Sequence, residues 1–305
     1  MRNAFARVMT DLAQERKDVC LLSGDIGNRM FDRYKQVAST RFLNCGIAEA
    51  NMMSMAAGMA LSGLRPVVYT ITPFTTTRCL EQIRTGVAYH EAPVVIVGTG
   101  SGLSYAELGA THHSLEDLAI LRSIPNLQIC APADSLELEA QLRQAITEGN
   151  PTYIRIGKKG EPDLLNDHKS LGIGKANLLR QGKNILLLGI GPIISEALKA
   201  STMLAQQGIQ LAIANMGSIK PLDQDFLQQC AAEDYSHWIS LEEHHQTGGL
   251  GSALLEWISE EQITTIQLKR MGIADHFVHQ LGAQNYVRET QGLNAAAIVK
   301  LVQSL

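Results

Sequence analysis

One carboxylate, Glu49, heads an unusually uncharged stretch of the sequence. It lies in FLNCGIAEANMMSMAAGMALSG, from Phe42 to Gly63, and is followed by small and sulfur-bearing side chains typical of a tightly packed helix. Helices exposed to water normally carry several charges. The carboxylate is therefore either buried, where it could hold or share a proton, or placed at the surface by the helix dipole. The stretch alone leaves both interpretations open.

Two adjacent histidines are the other candidates for proton transfer. His112 and His113 lie in the long, glycine-rich loop GTGSGLSYAELGATHHSLED, whose length and polarity favour a functional role. Either imidazole could be a general acid or base, or a solvated loop residue, and neighbours on a regular element cannot both face one site. The sequence contains no HExxH, paired CxxC or GxSxG motif. It therefore predicts neither metal ligands nor covalent catalysis by the protein itself.

Apolar, strand-like runs alternate with helical patterns and must position these residues. The first half contains VCLLSG, PVVYT, PVVIVG, LQICAP and TYIRIG, with helices over residues 4–16 and 75–89 and after Leu115 and Ser135. A second set contains NILLLGIG, IQLAIANM, HWISLEE and TTIQLKRM. Continuous apolar runs are typical of strands buried on both faces, which predicts two doubly wound, mostly parallel α/β domains.

A polar segment separates the two sets of elements. Residues 158–175 are rich in charge, glycine and proline and indicate a linker. We place the first domain at residues 1–160, the linker at 161–178 and the second domain at 179–305. In doubly wound sheets, function collects in the loops after the carboxyl ends of the strands. Four such loops of the first domain hold candidate side chains, namely Asp25, Arg29, Glu49, Phe74, Arg78, His112 and His113.

The overall composition excludes several classes of protein. A net charge of −4 without basic runs argues against nucleic acid as a partner. No apolar run approaches membrane-spanning length and no signal peptide is recognised, so we expect a cytoplasmic protein without a membrane partner. The five cysteines are scattered and odd in number, which fits neither a disulfide framework nor a zinc site. They are expected to be reduced and mostly in the core.

Taken together, the loops resemble those of the C-terminal half of a transketolase. The resemblance rests on LLSGDIG, NCGIAEANMMSMAAGMALSGLRPVVYT, FTTTRCLEQIR, ELGATHHSLEDLAILRSIPN, PTYIRIGKKG and SLEEHHQTGGLGSALLE, which cover nearly the whole chain. It implies a pyrimidine-binding domain followed by the transketolase C-terminal domain. The diphosphate-binding signature, GDG followed by a magnesium-binding Asn, cannot be found. The chain therefore resembles the beta subunit of a split transketolase, which would be inactive alone.

The resemblance also implies roles for individual residues. Glu49 matches the Glu that hydrogen-bonds the N1′ nitrogen of the aminopyrimidine ring of thiamine diphosphate. Phe74 matches an aromatic residue that stacks on that ring, while Asp25, Ile26 and Arg78 border the cofactor. His112 matches a His that hydrogen-bonds oxygen atoms of the donor. The diphosphate and its Mg²⁺ or Ca²⁺ would be held by the partner subunit.

Several positions depart from the family pattern on the substrate side. Leu108 stands where the family has an Asp that recognises the α-hydroxyl of the donor, and a Leu cannot accept that hydrogen bond. Lys158 replaces an Arg that grips the acceptor phosphate, and a Lys lacks the bidentate fork. Gly100 replaces a His and Arg29 replaces a Ser, whereas Arg2 matches an Arg. A modified acceptor is expected, either an unusual sugar phosphate or a larger activated sugar.

The residues and the resemblance together favour one function over three alternatives. We expect transfer of a two-carbon ketol unit from a ketose donor to an aldose, by an α2β2 assembly with an N-terminal-half transketolase subunit.

Acyl transfer from a 2-oxo acid, as in deoxyxylulose phosphate synthase or the beta subunit of a 2-oxo acid dehydrogenase, stays open because of Leu108. A non-catalytic scaffold is a second alternative. Nucleotide binding at Gly189–Ile190–Gly191 is a third, although Ile194 stands where a dinucleotide fingerprint needs glycine. His113 is left either solvated or facing the acceptor.

Overall fold

The computed structural model describes residues 1–27, 29–158, 160–165 and 171–305. Buried apolar runs form the strands, as the continuous patterns predict. The strands are β1 (Val19–Ser23), β2 (Phe42–Asn44), β3 (Arg65–Ile71), β4 (Val95–Thr99), β5 (Gln128–Cys130), β6 (Thr152–Ile156), β7 (Asn177–Arg180), β8 (Asn184–Ile190), β9 (Ala212–Asn215), β10 (Ser218–Lys220), β11 (Tyr235–His245) and β12 (Gln267–Ile273).

Helices cover both faces of the sheets that these strands form. They are α1 (Arg2–Glu15), α2 (Asp32–Ala38), α3 (Glu49–Leu61), α4 (Thr72–Thr75), α5 (Asp117–Arg122), α6 (Ser135–Glu148), α7 (Ile194–Ala205), α8 (Gln224–Ala231), α9 (Leu250–Glu260), α10 (Gln284–Thr290) and α11 (Ala295–Gln303). No helix in the described ranges is long and apolar enough to cross a membrane.

Two sheets carry the fold, and both are mostly parallel. The first has the order β10-β5-β6-β4-β3-β1-β2 and the second has the order β12-β11-β8-β9-β7. Only β10 and β7, each at an edge, pair antiparallel with their neighbours among the described strands. The expected fold class, two doubly wound mostly parallel α/β domains, is confirmed.

The two halves of the chain are more interlocked than a simple linker suggests. Strand β10 follows β9 of the second sheet but pairs with β5, so a segment from the second half completes the edge of the first sheet. Strand β7 begins at Asn177, inside the expected linker at 161–178. Residues 166–170 of that linker lie outside the described ranges.

Helix α3 has one buried face and one exposed face. Met52, Met53, Ala56, Ala57 and Ala60 recur at helical spacing and are buried in the core against β1 and β3. The exposed face carries small, polar and apolar side chains but no charge, namely Asn51, Ser54, Gly58 and Leu61. The uncharged stretch therefore forms a helix that is half buried in this chain.

The helix expected over residues 75–89 is interrupted. Helix α4 ends at Thr75, a 3-10 turn spans Thr77–Cys79, and a π-helical segment spans Gln82–Ala88. The hydroxyls of Thr76 and Thr77 donate to the carbonyl oxygens of Thr72 and Pro73. Threonine side chains that bind backbone acceptors in this way compete with a regular helical ladder. This irregular backbone carries Phe74 and Arg78, two of the candidate residues.

A buried charge pair joins the first sheet to the second. Arg155 on β6 and Asp117 at the start of α5 are 3% and 2% exposed, and the Arg155 Nε atom lies 2.9 Å from a carboxylate oxygen of Asp117. The Tyr153 hydroxyl donates to the same carboxylate at 2.6 Å. Arg155 also donates to the carbonyl oxygens of Ser114, after β4, and Glu243, on β11. One guanidinium thus fixes the loop after β4 and the second sheet together.

We expect the substitution Asp117→Asn to destabilise the fold strongly, because it leaves the buried Arg155 charge without its counter-charge. Removing one partner of a buried pair typically costs about 3–5 kcal/mol. Urea denaturation of the variant measures this loss. Asp32→Asn is the matched control, because Asp32 is 55% exposed and pairs with Lys35 at 3.6 Å. The control should change the free energy of unfolding by less than about 0.5 kcal/mol, and equal losses in the two variants would contradict the assignment.

Candidate active site

Glu49 lies at the first position of α3 and is paired with Arg78. Its side chain is 6% exposed, and Arg78 Nη1 donates to Glu49 Oε2 at 3.0 Å. The start of a helix favours a carboxylate through the helix dipole. Glu49 is therefore buried, as one of the two sequence interpretations requires, but it is not alone, because a guanidinium from the loop after β3 accompanies it.

Phe74 and His112 continue from Arg78 in one line of contacts. The Arg78 guanidinium lies over the Phe74 ring, 4.0 Å from its centroid. The Phe74 ring meets the His112 ring edge to face at a centroid distance of 5.3 Å. These residues come from the start of α3, the irregular segment after β3 and the loop after β4. The carboxyl ends of parallel strands thus bring four sequence-predicted residues together at one edge of the sheet.

His112 is held in an environment that disfavours its positive charge. Partial burial and the nearby Arg78 charge lower its pKa. Its Nδ1 atom lies 2.9 Å from the Thr111 hydroxyl. If this hydroxyl donates to Nδ1, the proton of the neutral ring is on Nε2. The neutral imidazole can then donate a hydrogen bond to a substrate oxygen.

Tyr105 and Lys158 extend the line beyond His112. The Tyr105 and His112 rings meet at a centroid distance of 5.9 Å, and Lys158 Nζ lies 4.3 Å from the Tyr105 centroid. Lys158 also pairs with Glu107 at 2.7 Å. No motif in the sequence marks Tyr105 or Glu107 as functional. Their place in the loop SGLSYAELGATHH, whose length marks it as functional, was the only available signal.

The loop after β1 is tied to the loop that leads to Glu49. Asn44 donates from Nδ2 to Asp25 Oδ1 at 3.1 Å and accepts at Oδ1 from the Gly46 backbone N–H at 2.9 Å. The Asp25 backbone N–H in turn donates to the carbonyl oxygen of Gly46. Ile26 is half buried and packs against the core on the helix α1 side of the sheet. Asp25 therefore positions the approach to α3 through Asn44.

Three substrate-side candidates lie apart from this line. The side chain of Arg29 is exposed, beside Asn28, which is outside the described ranges. Leu108 is 48% exposed on the surface of the loop after β4. Arg2, at the start of α1, lies beside the hydroxyl of Tyr69. Burial raises the pKa of that hydroxyl, and the Arg2 charge opposes part of the rise. Their predicted roles in substrate binding stay predictions.

The expectation that His113 is solvated is wrong. Its side chain is 5% exposed, and its Nε2 atom is buried without a hydrogen-bond partner among the described residues. Burial lowers its pKa. The backbone turns between the two histidines, since both N–H groups donate to the carbonyl oxygen of Gly109. The His112 ring contacts Phe74 and Tyr105, whereas the His113 side chain is buried in the protein.

Two known protein families match the sequence. Residues 1–161 match the family described as transketolase, pyrimidine binding domain, and residues 174–298 match transketolase, C-terminal domain. The chain belongs to the transketolase family. It is a transferase subunit of a family that depends on thiamine diphosphate.

Individual relatives of this transketolase-family chain differ in how much of their length they share with it. A subunit of the apulose-4-phosphate transketolase of Phocaeicola vulgatus is 33% identical over 302 residues, which are 98% of this chain and 95% of that protein. The 1-deoxy-D-xylulose-5-phosphate synthase of Halothermothrix orenii is 35% identical over 269 residues, 88% of this chain but 42% of that protein. A solved split-gene transketolase, an inactive β4 tetramer, matches with a TM-score of 0.90 at 32% identity and covers 99% of this chain and 97% of that chain.

We expect Arg78→Gln to raise the pKa of His112, because the substitution removes a positive charge that opposes protonation of the ring. As the pH falls, the His112 ring of the variant should therefore become protonated at a higher pH than the His112 ring of the parent chain. NMR titration of the imidazole signals measures this change. Arg84→Gln is the control, since Arg84 is exposed and pairs with Glu81 outside the line of contacts. A shift of equal size in both variants would argue against the assigned contact.

Proposed function

We propose that this chain supplies the pyrimidine side of the active site in a split transketolase that moves a two-carbon ketol unit from a ketose to an aldose. The observation that carries the proposal is the line of contacts from Glu49 through Arg78 and Phe74 to His112. The contacts join a buried carboxylate, an aromatic face and an imidazole of lowered pKa at one edge of the sheet. The transketolase family depends on thiamine diphosphate, and such a set of side chains fits this cofactor.

The residues of this edge fit the aminopyrimidine ring of thiamine diphosphate. Glu49 Oε2 is engaged by Arg78, whereas no hydrogen bond to Oε1 is found within the described ranges. That oxygen is the available acceptor for a protonated ring nitrogen. Phe74 is half buried and offers a face on which a planar ring can stack. Asp25 and Ile26 border the same edge through the Asn44 contacts.

The cofactor, when bound, supplies the nucleophilic carbon for cleavage and formation of carbon–carbon bonds. The chain's own contribution is to position it and to manage protons. Glu49 holds or shares a proton at the ring nitrogen, which is general acid–base chemistry in a partly dry site. His112, whose pKa is lowered, donates a hydrogen bond to an oxygen of the donor and orients it. Arg78 balances the Glu49 charge.

The partner subunit would cover the edge that this chain leaves open. Ile47, two residues before Glu49, is 83% exposed, and the exposed face of α3 has no charge. Apolar and uncharged surface beside a catalytic residue is typical of a protein interface. We assign this surface to an N-terminal-half transketolase subunit in an α2β2 assembly, with the diphosphate and its Mg²⁺ or Ca²⁺ held by that partner.

The choice of donor substrate by the complex reconstituted with the partner subunit tests the proposal. The complex should transfer a ketol unit from a ketose phosphate such as xylulose 5-phosphate and should not turn over pyruvate. The comparison of a ketose phosphate with pyruvate is informative because the half-exposed Leu108 side chain cannot accept a hydrogen bond from the α-hydroxyl of a ketose donor. Turnover of pyruvate as the only donor accepted would replace ketol transfer with acyl transfer from a 2-oxo acid.

We expect Glu49→Gln to lower kcat of the reconstituted complex at least about 100-fold, because a general acid–base contribution of this size is lost with the carboxyl group. Size-exclusion chromatography should show unchanged assembly with the partner. Glu256→Gln is the control, because Glu256 is an exposed, ion-paired residue on α9 of the second domain. Full activity of the Glu49 variant would instead support a subunit that only scaffolds.

A further inference from the structure

The motif SLEEHHQTGG in the second half of the chain touches the loop that carries His112. It begins on β11, where successive side chains point to opposite faces of the sheet. The Glu242 carboxylate binds two backbone N–H groups at the start of α9, at 2.7 and 2.8 Å. The next residue, Glu243, reaches the other way, into the loop after β4. One residue of this motif therefore connects the second domain to the candidate site.

The Glu243 carboxylate binds the start of that loop. Its Oε1 atom accepts from the backbone N–H of Leu103 at 2.6 Å, and the Glu243 side chain is 7% exposed. Gly102 allows the backbone to come this close. Its φ is +59°, and a Cβ atom there would lie 2.6 Å from Oε1, closer than a real Cβ atom approaches an oxygen. The glycine and the carboxylate are therefore matched to each other.

The main chain of Glu243 holds the other end of the loop. Its carbonyl oxygen accepts from Arg155 at 2.9 Å, and the same guanidinium donates to the carbonyl oxygen of Ser114. The Ser114 backbone N–H donates to the carbonyl oxygen of Gly102, which brings the two ends of the loop together. We call residues 102, 103 and 114 the neck of the loop. Both sides of the neck thus depend on residue 243.

The segment that projects from the neck carries Tyr105 and His112. The two rings contact each other, and the His112 ring also contacts Phe74 across the edge of the sheet. Loops whose ends meet in this way are frequently functional. A side chain that acts on a substrate can lose about 100-fold in rate when it is displaced by about 1 Å. The geometry of the neck therefore bears directly on the place of the imidazole.

The two carboxylate oxygens of Glu243 have different partners. Oε2 accepts from Arg288 on α10, whose side chain is 10% exposed, and this pair lies within the second domain. Oε1 accepts from Leu103 and from Gln284, and the Gln284 amide also reaches the Ser104 hydroxyl. One oxygen therefore serves the packing of the second domain, and the other serves the loop.

We propose that Glu243 is a positioning residue, whose Oε1 atom holds the neck at Leu103 and thereby fixes the place of the His112 imidazole. The role of His112 toward a donor rests on the proposed function, whereas the holding of the loop does not. The group that Oε1 holds is an uncharged N–H. An acceptor oxygen at position 243, rather than its negative charge, is therefore what the loop requires.

Two double variants that differ only at position 243 test the proposal. Glu243→Gln with Arg288→Met removes both charges of the buried pair but keeps an oxygen that can accept from Leu103. Glu243→Met with Arg288→Met removes both charges and that oxygen. Changing both members of the pair avoids a buried charge without a counter-charge. Circular dichroism and urea denaturation establish that each variant is folded.

NMR titration of His112 in the free chain requires neither the partner subunit nor turnover. Burial lowers the pKa of His112, so a displaced and better solvated imidazole should titrate at a higher pH. We expect this rise in the variant with Met at position 243, and we expect the variant with Gln at this position to titrate as the parent does. An equal pKa in the two variants overturns the proposal even if ketol transfer is confirmed.

Kinetics of the reconstituted complex add the functional consequence. The variant with Met at position 243 should lower kcat at least about tenfold, whereas the variant with Gln should stay within about threefold of the parent. Equal losses in both variants would mean that the charge pair matters only for folding, which overturns the proposal. If the complex does not transfer ketol units, the NMR difference between the variants still supports the holding of the loop, and the proposed function fails alone.

Gly102→Ala tests the same contact from the loop and covers the case in which the variant with Met at position 243 does not fold. Its Cβ atom would press on Glu243 Oε1 and leave the pair with Arg288 in place. The pKa of His112 should rise in this variant. Gly208→Ala is the control, because Gly208 has a φ of +80° but no neighbour within 4 Å of an added Cβ atom. A parent-like His112 titration in Gly102→Ala, or an equal rise in the control, overturns the proposal.

Discussion

The structure depends on one nearly dry charge pair, Arg155 with Asp117. Its guanidinium reaches β6, α5, the loop after β4 and strand β11 at once. A buried pair of this kind contributes little net stability compared with apolar packing, but it is costly to break once made. It therefore acts as a constraint on geometry. The loop that carries Tyr105, Glu107 and His112 is fixed to this guanidinium at its far end, at Ser114.

The same constraint explains why the second half of the chain cannot be separated cleanly from the first. Glu243 on β11 accepts from Arg288, Gln284 and the Leu103 backbone N–H, so the start of the loop after β4 is also fixed by the second sheet. Strand β10 also connects the two halves, because it follows β9 in the chain but pairs with β5 of the first sheet. The second domain thus supports the loop of the candidate site from behind, although none of its described residues belongs to the contact line from Glu49 to Lys158.

Much of this architecture could be predicted from sequence because it follows from local patterns. Continuous apolar runs identify buried parallel strands, and the uncharged stretch after Glu49 identifies a packed helix. The loops after the strands then contain the candidate residues in order. Edge strands β2, β7 and β10 escaped prediction because they are only three or four residues long and do not lie in a longer apolar run. The break in the helix expected after Thr75 escaped prediction because it depends on which backbone carbonyls the threonine hydroxyls bind.

Contacts between side chains of distant segments were not predictable from the sequence either. Nothing local marks Glu107 as the partner of Lys158, because only the sheet brings their segments together. The orientation of His113 failed for the same reason, since its exposure is set by how the loop turns at Gly109.

The pairing of Glu49 with Arg78 meets a requirement of folding. A carboxylate that is 6% exposed at the start of an apolar helix is costly to bury without a counter-charge. Arg78 supplies that counter-charge and also covers the face of Phe74. The Arg78 side chain is itself 45% exposed, yet its removal would leave the buried carboxylate without a counter-charge. One guanidinium therefore stabilises the buried carboxylate and covers the aromatic face beside it.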